Sequence, residues 1–269
     1  MSIFSKLLVL FIVGKMSSNL TAQQDIVLPH HTFSIDSKEL NEKRVINVWT
    51  PPGQTKDSFA FPVMYMADGG VAEDFPHIAQ TFSELIAAKK IPPFILVGIE
   101  NTQRRRDLTG PTAVRSDKKI APIVGGSENF RAFIQNELFP EIEKRYTVND
   151  KRGILGESLS GLFVMETFFL EPNMFDYNIA FDPSLWWNNH ALVKNAEKYL
   201  KTPPITTKRI WFAGSDAKDI YQYTQELEGV FSANAHPNLH VHYSDEPKEQ
   251  HTTIFRATKE KAIVWTLRI

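Results

Sequence analysis

The sequence predicts an α/β fold: a mostly parallel central sheet with helices on both faces. Two observations predict it. From about residue 30 onward, short apolar runs alternate with segments of helical periodicity. Within them Phe94, Ile95, Leu96, Val97 and Ile99 form a nearly unbroken apolar run, as expected of a strand covered on both faces. No internal repeat, linker or low-complexity stretch divides the chain, so residues 23–269 read as one domain.

The elements follow in order. His31–Asp36 and Arg44–Thr50 read as two early strands, the second rich in strand-favouring Val45, Ile46, Val48 and Trp49 and stopped by Pro51-Pro52-Gly53. Phe61–Ala67 is a strand ending in the turn Asp68-Gly69-Gly70, and Pro93–Ile99 is the next. A polar, basic stretch from Glu100 to Gly126 has little periodicity. Phe130, Phe133, Ile134, Leu138, Ile142 and Tyr146 then recur at helical intervals, with Ser127 placed as the cap. Thereafter strands at Gly153–Gly156, Tyr177–Phe181, Arg209–Ala213 and Leu239–Tyr243 alternate with helices at Gly161–Leu170, 190–201, Ile220–Val230 and Thr252–Leu267.

Residues 1–22 have the order of a secretory signal: Lys6, the apolar run Leu7–Val13, then the small and polar Ser17, Ser18, Thr21 and Ala22. The run is too short to span a bilayer, and no other stretch is long or apolar enough. Cleavage after Ala22 would leave Gln23 first, giving an exported protein, periplasmic or secreted, with no stable membrane insertion. An uncleaved anchor or a buried N-terminal helix is the alternative. Thirty basic against thirty-one acidic residues give a net charge of −1, which argues against a dedicated nucleic-acid binder. The absence of cysteine excludes disulfides, thiolate metal sites and a cysteine nucleophile.

The chemistry concentrates at Gly156-Glu157-Ser158-Leu159-Ser160-Gly161, between an apolar strand and an apolar helix. In that context a Gly-x-Ser-x-small turn is a nucleophile elbow: small residues relieve crowding where the chain turns sharply and presents the serine. Ser160 takes the second small position, where glycine is usual. Ser158 is therefore the expected nucleophile, with the backbone N–H of Leu159 and the helix dipole favouring a developing oxyanion. A serine hydroxyl needs a histidine base. Of the histidines after Ser158, His251 lies in the loop after the last strand, at the carboxyl edge to which the elbow also points. The acid is expected after the preceding strand, at Asp216, with Asp219 as the alternative and a Ser–His dyad as the third possibility.

Several segments together resemble the putative-esterase family of α/β-hydrolases, which includes esterase D, feruloyl esterases, siderophore esterases and mycolyltransferases. They are Met66–Gly70, Val97–Asn101, Arg104–Thr109, Gly156–Gly161, Asp182–Trp187 and Glu249–His251, in the family's order across most of 30–265. The resemblance implies an α/β-hydrolase fold and a serine carboxylic-ester hydrolase without metal or organic cofactor. It implies a second oxyanion N–H around Gly69 and Gly70, and Trp186 and Trp187 flooring or rimming the substrate pocket. It also implies that the Arg104–Asp107 run structures a loop near the site. The expected partner is a small-molecule or glycan-borne ester, whether siderophore, acetylated or feruloylated polysaccharide, or simple acyl ester. Acyl transfer to an alcohol, and non-catalytic binding on a hydrolase scaffold, are the competing functions.

Overall fold

The computed structural model describes residues 25–53, 59–202 and 204–268. The expected signal segment lies outside the described residues. The sheet has eight strands: β1 His31–Ser37, β2 Glu42–Trp49, β3 Phe61–Met66, β4 Ile95–Ile99, β5 Val148–Glu157, β6 Tyr177–Phe181, β7 Lys208–Gly214 and β8 Leu239–Asp245. Their spatial order is β1-β2-β4-β3-β5-β6-β7-β8. β1–β2 and β2–β4 pair antiparallel, and every later neighbour pairs parallel. The helices are α1 Phe75–Ala87, α2 Arg104–Asp107, α3 Ser127–Phe133, α4 Phe139–Arg145, α5 Leu159–Leu170, α6 Trp187–Leu200, α7 Tyr221–Ala233 and α8 Ile254–Leu267.

Strand alternation divides the core into two layers. Val63, Tyr65, Ala180, Ile210 and Phe212 face the side covered by α3 to α7. Met64, Met66, Ile179, Phe181, Trp211 and Ala213 face α1 and α8. Buried on both faces, the central strands must be apolar throughout, which explains their unbroken apolar runs. α5 is buried along nearly its whole length, consistent with its lack of a polar face.

Three local features depart from the sequence-based expectation. α1 is an additional helix between β3 and β4; Phe75, Ile78, Ala79, Phe82 and Leu85 form its buried face. The single helix expected to run through Phe130–Tyr146 is α3, a π-helical stretch Ile134–Leu138, and α4. Ser127 is its first residue rather than its cap: Gly126 holds the cap position, and the Ser127 hydroxyl bonds to Glu166 on α5. In α6, by contrast, Asn188, Asn189 and His190 take left-handed backbone angles just after the tryptophan pair, so the regular helix begins close to the expected residue 190.

The Glu100–Gly126 stretch is held by buried charge. Arg44 of β2 is fully buried and donates to Asp107 at 2.6 Å, and Arg106 donates to both Asp107 and Glu42. Arg105 donates to the Ile120 carbonyl across the same loop. This anchors α2 against the early strands and sets Arg104 and Arg105 at the carboxyl edge of the sheet.

Candidate active site

β5 ends at Glu157 and α5 begins at Leu159, so a single residue makes the turn between them. That residue, Ser158, has φ 61° and ψ −118°, a region that costs an L-residue of order 1–3 kcal/mol. The neighbours explain how it is tolerated. A Cβ added to Gly156 would overlap Ser160, and one added to Gly161 would stand 3.0 Å from the Phe181 carbonyl oxygen. The Ser158 N–H donates to that same carbonyl, and Ser184 N–H donates to the Ser158 carbonyl, both at 3.0 Å. Leu159 is the first helical residue, so its N–H lacks an intrahelical acceptor and sits where the helix dipole is positive.

His251, in the loop between β8 and α8, brings Nε2 to 3.0 Å from Ser158 Oγ. Its Nδ1 lies 2.6 Å from Asp182 Oδ2. The hydrogen-bond chain is therefore Ser158, His251, Asp182. The carboxylate on His251 Nδ1 is thus Asp182 and not the expected Asp216. Asp216 is exposed, and its backbone N–H, not its carboxylate, is engaged, donating to the Glu249 carbonyl. Asp219 is also exposed; it lines the cavity and acts on His251 only through space. The end of β7 contributes Ser215 instead, whose N–H and hydroxyl each donate to Asp182 at 2.7 Å. Asp182 is fully buried, follows the last residue of β6 and has φ 45°, a backbone region that Asp and Asn tolerate better than most residues. That combination of an Asp, a strand end and a following Pro183 was the available signal in the sequence.

The charges around His251 favour its protonated form. The Asp182 hydrogen bond raises its pKa most, burial opposes this, and Glu157 and Asp219 add to the rise. Glu157, the residue before the nucleophile, is itself pushed up to about 7 by burial. Arg104 donates from Nε and Nη2 to the two oxygens of Asp68, at 2.5 and 2.9 Å, and to the Glu157 carbonyl at 3.3 Å. The Arg104–Asp107 run thus ties the β3–α1 turn to the elbow.

The expected second oxyanion donors are corrected as well. Gly69 N–H donates to the Ile99 carbonyl, and Gly70 N–H donates to Glu73 Oε2 at 2.7 Å. Both close the β3–α1 turn on itself and on β4. A Cβ at Gly69 would collide with the Gly98–Ile99 backbone, so this glycine serves close chain approach.

A cavity of about 340 Å³ opens beside Ser158, Leu159 and His251, walled by Arg104, Arg105, Ile120, Ser184, Trp186, Ala217, Asp219 and Ile220. Trp186 is therefore at the site. Trp187 is not: it is buried, its indole N–H donates to the Gly110 carbonyl, and it lines a separate cavity between α3, α5 and α6. Sequence reasoning missed Asp182, Ser184 and Ser215. Ser184 Oγ lies 3.4 Å from Ser158 Oγ. No group of metal-ligating side chains occurs among the described residues, and no described helix is long and apolar enough to cross a membrane.

Comparison with known proteins bears on this geometry. The ferri-bacillibactin esterase BesA of Bacillus subtilis (strain 168) is 30% identical over 181 residues, 60% of this chain and 61% of that protein. The apo-salmochelin esterase of Escherichia coli O6:H1 is 25% identical over 176 residues, 61% of this chain and 54% of that protein. The matches thus span little more than half the length of these relatives. Among solved structures, the BES protein from Bacillus cereus superposes with a TM-score of 0.78 at 23% identity, covering 92% of this chain and 99% of that one. An IroE-like serine hydrolase from Shewanella oneidensis gives 0.77 at 24% identity, covering 89% and 79%. These likenesses establish the α/β-hydrolase fold. The family described as Putative esterase matches residues 37–266, nearly the whole chain, and the protein belongs to that family.

Proposed function

We propose that this protein hydrolyses carboxylic esters through an acyl-enzyme on Ser158, and that its substrate is a siderophore ester. The observation that carries the reading is the hydrogen-bond chain from Ser158 Oγ through His251 to Asp182, at the mouth of a cavity. Ser158 Oγ attacks the ester carbonyl carbon while its proton passes to His251 Nε2. Asp182 holds the Nδ1–H tautomer and stabilises the imidazolium that forms. The Leu159 N–H, at the α5 N-terminus, faces the charge that develops on the carbonyl oxygen. His251 then gives the proton to the departing alkoxide; water, deprotonated by the same nitrogen, attacks the acyl carbon, the acyl–Oγ bond breaks to release the acid, and Nε2 returns the proton to Ser158 Oγ.

The substrate class is supported by the names of the relatives, a ferri-bacillibactin esterase and an apo-salmochelin esterase. It is also supported by Arg105 on the cavity wall, which pairs with no carboxylate among the described residues and suits an anionic ligand. The test is a panel of a catecholate trilactone, acetylated and feruloylated sugars, and p-nitrophenyl esters. A kcat/KM for the trilactone well above the rest is expected; preference for a sugar ester would overturn the substrate assignment. Residues 1–22 fit a secretory leader, so exported protein should begin at or close to Gln23. Exported protein still carrying Met1 would contradict that.

A further inference from the structure

His251 has a carboxylate on each side. Asp182 meets Nδ1, while Glu157 Oε1 lies 3.4 Å from Nε2, the nitrogen that faces Ser158. We propose that Glu157 is a positioning residue for the base: its carboxylate steadies the positive charge His251 acquires when it takes the serine proton, so that the Glu157–His251 pair, rather than His251 alone, sets the acid limb of activity. The proposal rests on the ester-hydrolase reading above and adds to it a residue outside the Ser158–His251–Asp182 chain.

The geometry supports it. The Glu157 side chain is only 19% exposed, and among the described residues His251 is the basic side chain within ion-pair distance of it. Arg104, the nearest candidate to neutralise it, spends its guanidinium on Asp68 and reaches only the backbone oxygen of Glu157. A mostly buried carboxylate left without an arginine or backbone donor is costly. It gains a full partner only when His251 becomes a cation, which is the intermediate stage of the proposed reaction. The groups facing Glu157 are His251 from the β8–α8 loop, Arg104 from α2, and Asp68 and Asp74 from the β3–α1 turn. Asp182 and Asp219 also face His251. The two cations favour the Glu157 carboxylate, while burial and the two aspartates disfavour it. With Glu157 pushed up to about 7 and His251 raised above its ordinary value, the two share protons as a coupled pair. As pH falls, the base is removed to the extent that the proton taken by the pair sits on His251 Nε2, which the Glu157 carboxylate favours.

The sign follows directly. Glu157 raises the proton affinity of His251, so removing its charge lets the imidazole stay neutral to lower pH. Glu157→Gln should therefore move the acid limb of kcat/KM, and of fluorophosphonate labelling, about one pH unit lower, with a reduced plateau. Glu157→Asp keeps the charge and should lie between Glu157→Gln and wild type. An acid limb that coincides with wild type in Glu157→Gln would overturn the proposal, because a merely structural residue changes the amplitude and not the limb. Ser158→Ala run alongside separates the two levels: if it keeps turnover, the hydrolase reading itself fails. Should Glu157→Gln not fold, NMR titration of the His251 imidazole in the otherwise unaltered chain decides. Two inflections are expected, and a single one would overturn the proposal.

Discussion

Asp182 shows how much one side chain depends on its supports. Its carboxylate accepts from His251 and from the N–H and hydroxyl of Ser215, so it is fixed by β7 although it is carried by β6. Asp182→Asn should lower kcat by orders of magnitude, since an amide can present an N–H to Nδ1 and favour the wrong tautomer. Asp216→Asn should stay close to wild type, because its side chain points to solvent. Steady-state kinetics on the two variants check this, and the opposite ranking would return the acid to Asp216. Ser158 and His251 were legible because an elbow and a post-strand loop are local patterns. The carboxylate that meets His251 was not: β6 and β7 both end at the same sheet edge with a nearby Asp, and only packing decides which one turns inward. Gly69 and Gly70 were misread as well: their N–H groups are claimed by Ile99 of β4 and by Glu73 within the turn itself.

Among the elements, the β5–α5 junction has the least freedom. Gly156 stands against Ser160 with no room for a methyl group, and Ser158 is already held at positive φ. Gly156→Ala should force the junction apart, costing about 1–3 kcal/mol of stability and most of the ester turnover. Urea denaturation and kinetics check this; unchanged values for both would mean the junction is looser than its packing implies. Strands and helices from β5 onward were legible because the parallel sheet imposes apolar runs at regular separation. The break in the Ser127–Arg145 helix was less so. Its apolar period continues through the π-helical stretch, where one extra residue per turn leaves the buried face in place. α1 follows a glycine-rich turn and carries Pro76 as its second residue, yet its Phe75, Ile78, Phe82 and Leu85 repeat is an ordinary amphipathic signal.

Over the whole molecule, the long Glu100–Gly126 connection depends on buried charge rather than on apolar packing. Asp107 is fully buried between Arg44 and Arg106. Asp107→Ala would remove one of the two carboxylates that pair with buried Arg44, leaving Glu42, and should destabilise the fold by about 1–3 kcal/mol. Chemical denaturation measures it, and a loss below 1 kcal/mol, as found for exposed pairs, would show the network to be dispensable. The same network gives a pH signature. Arg106 above all, with Thr102 and Arg44, holds Glu42 down at about 2. A lowered carboxyl pKa contributes stability above its unfolded value, and that contribution is lost as pH falls from about 4.5 towards 2. The resemblance put the Arg104–Asp107 run in a structured loop near the site, but its buried partners Arg44 and Glu42 could not be read from the sequence, where the run equally fits a solvated charged loop.

The fold, the loop network and the elbow converge on one claim, that Ser158 is an activated nucleophile. Mass-spectrometric mapping of the fluorophosphonate adduct on folded protein tests it most directly. The account predicts a single adduct on Ser158 in the wild type, absent from Ser158→Ala and strongly slowed in His251→Ala. A folded wild-type protein that stays unlabelled, or that carries the adduct on another residue, would contradict it.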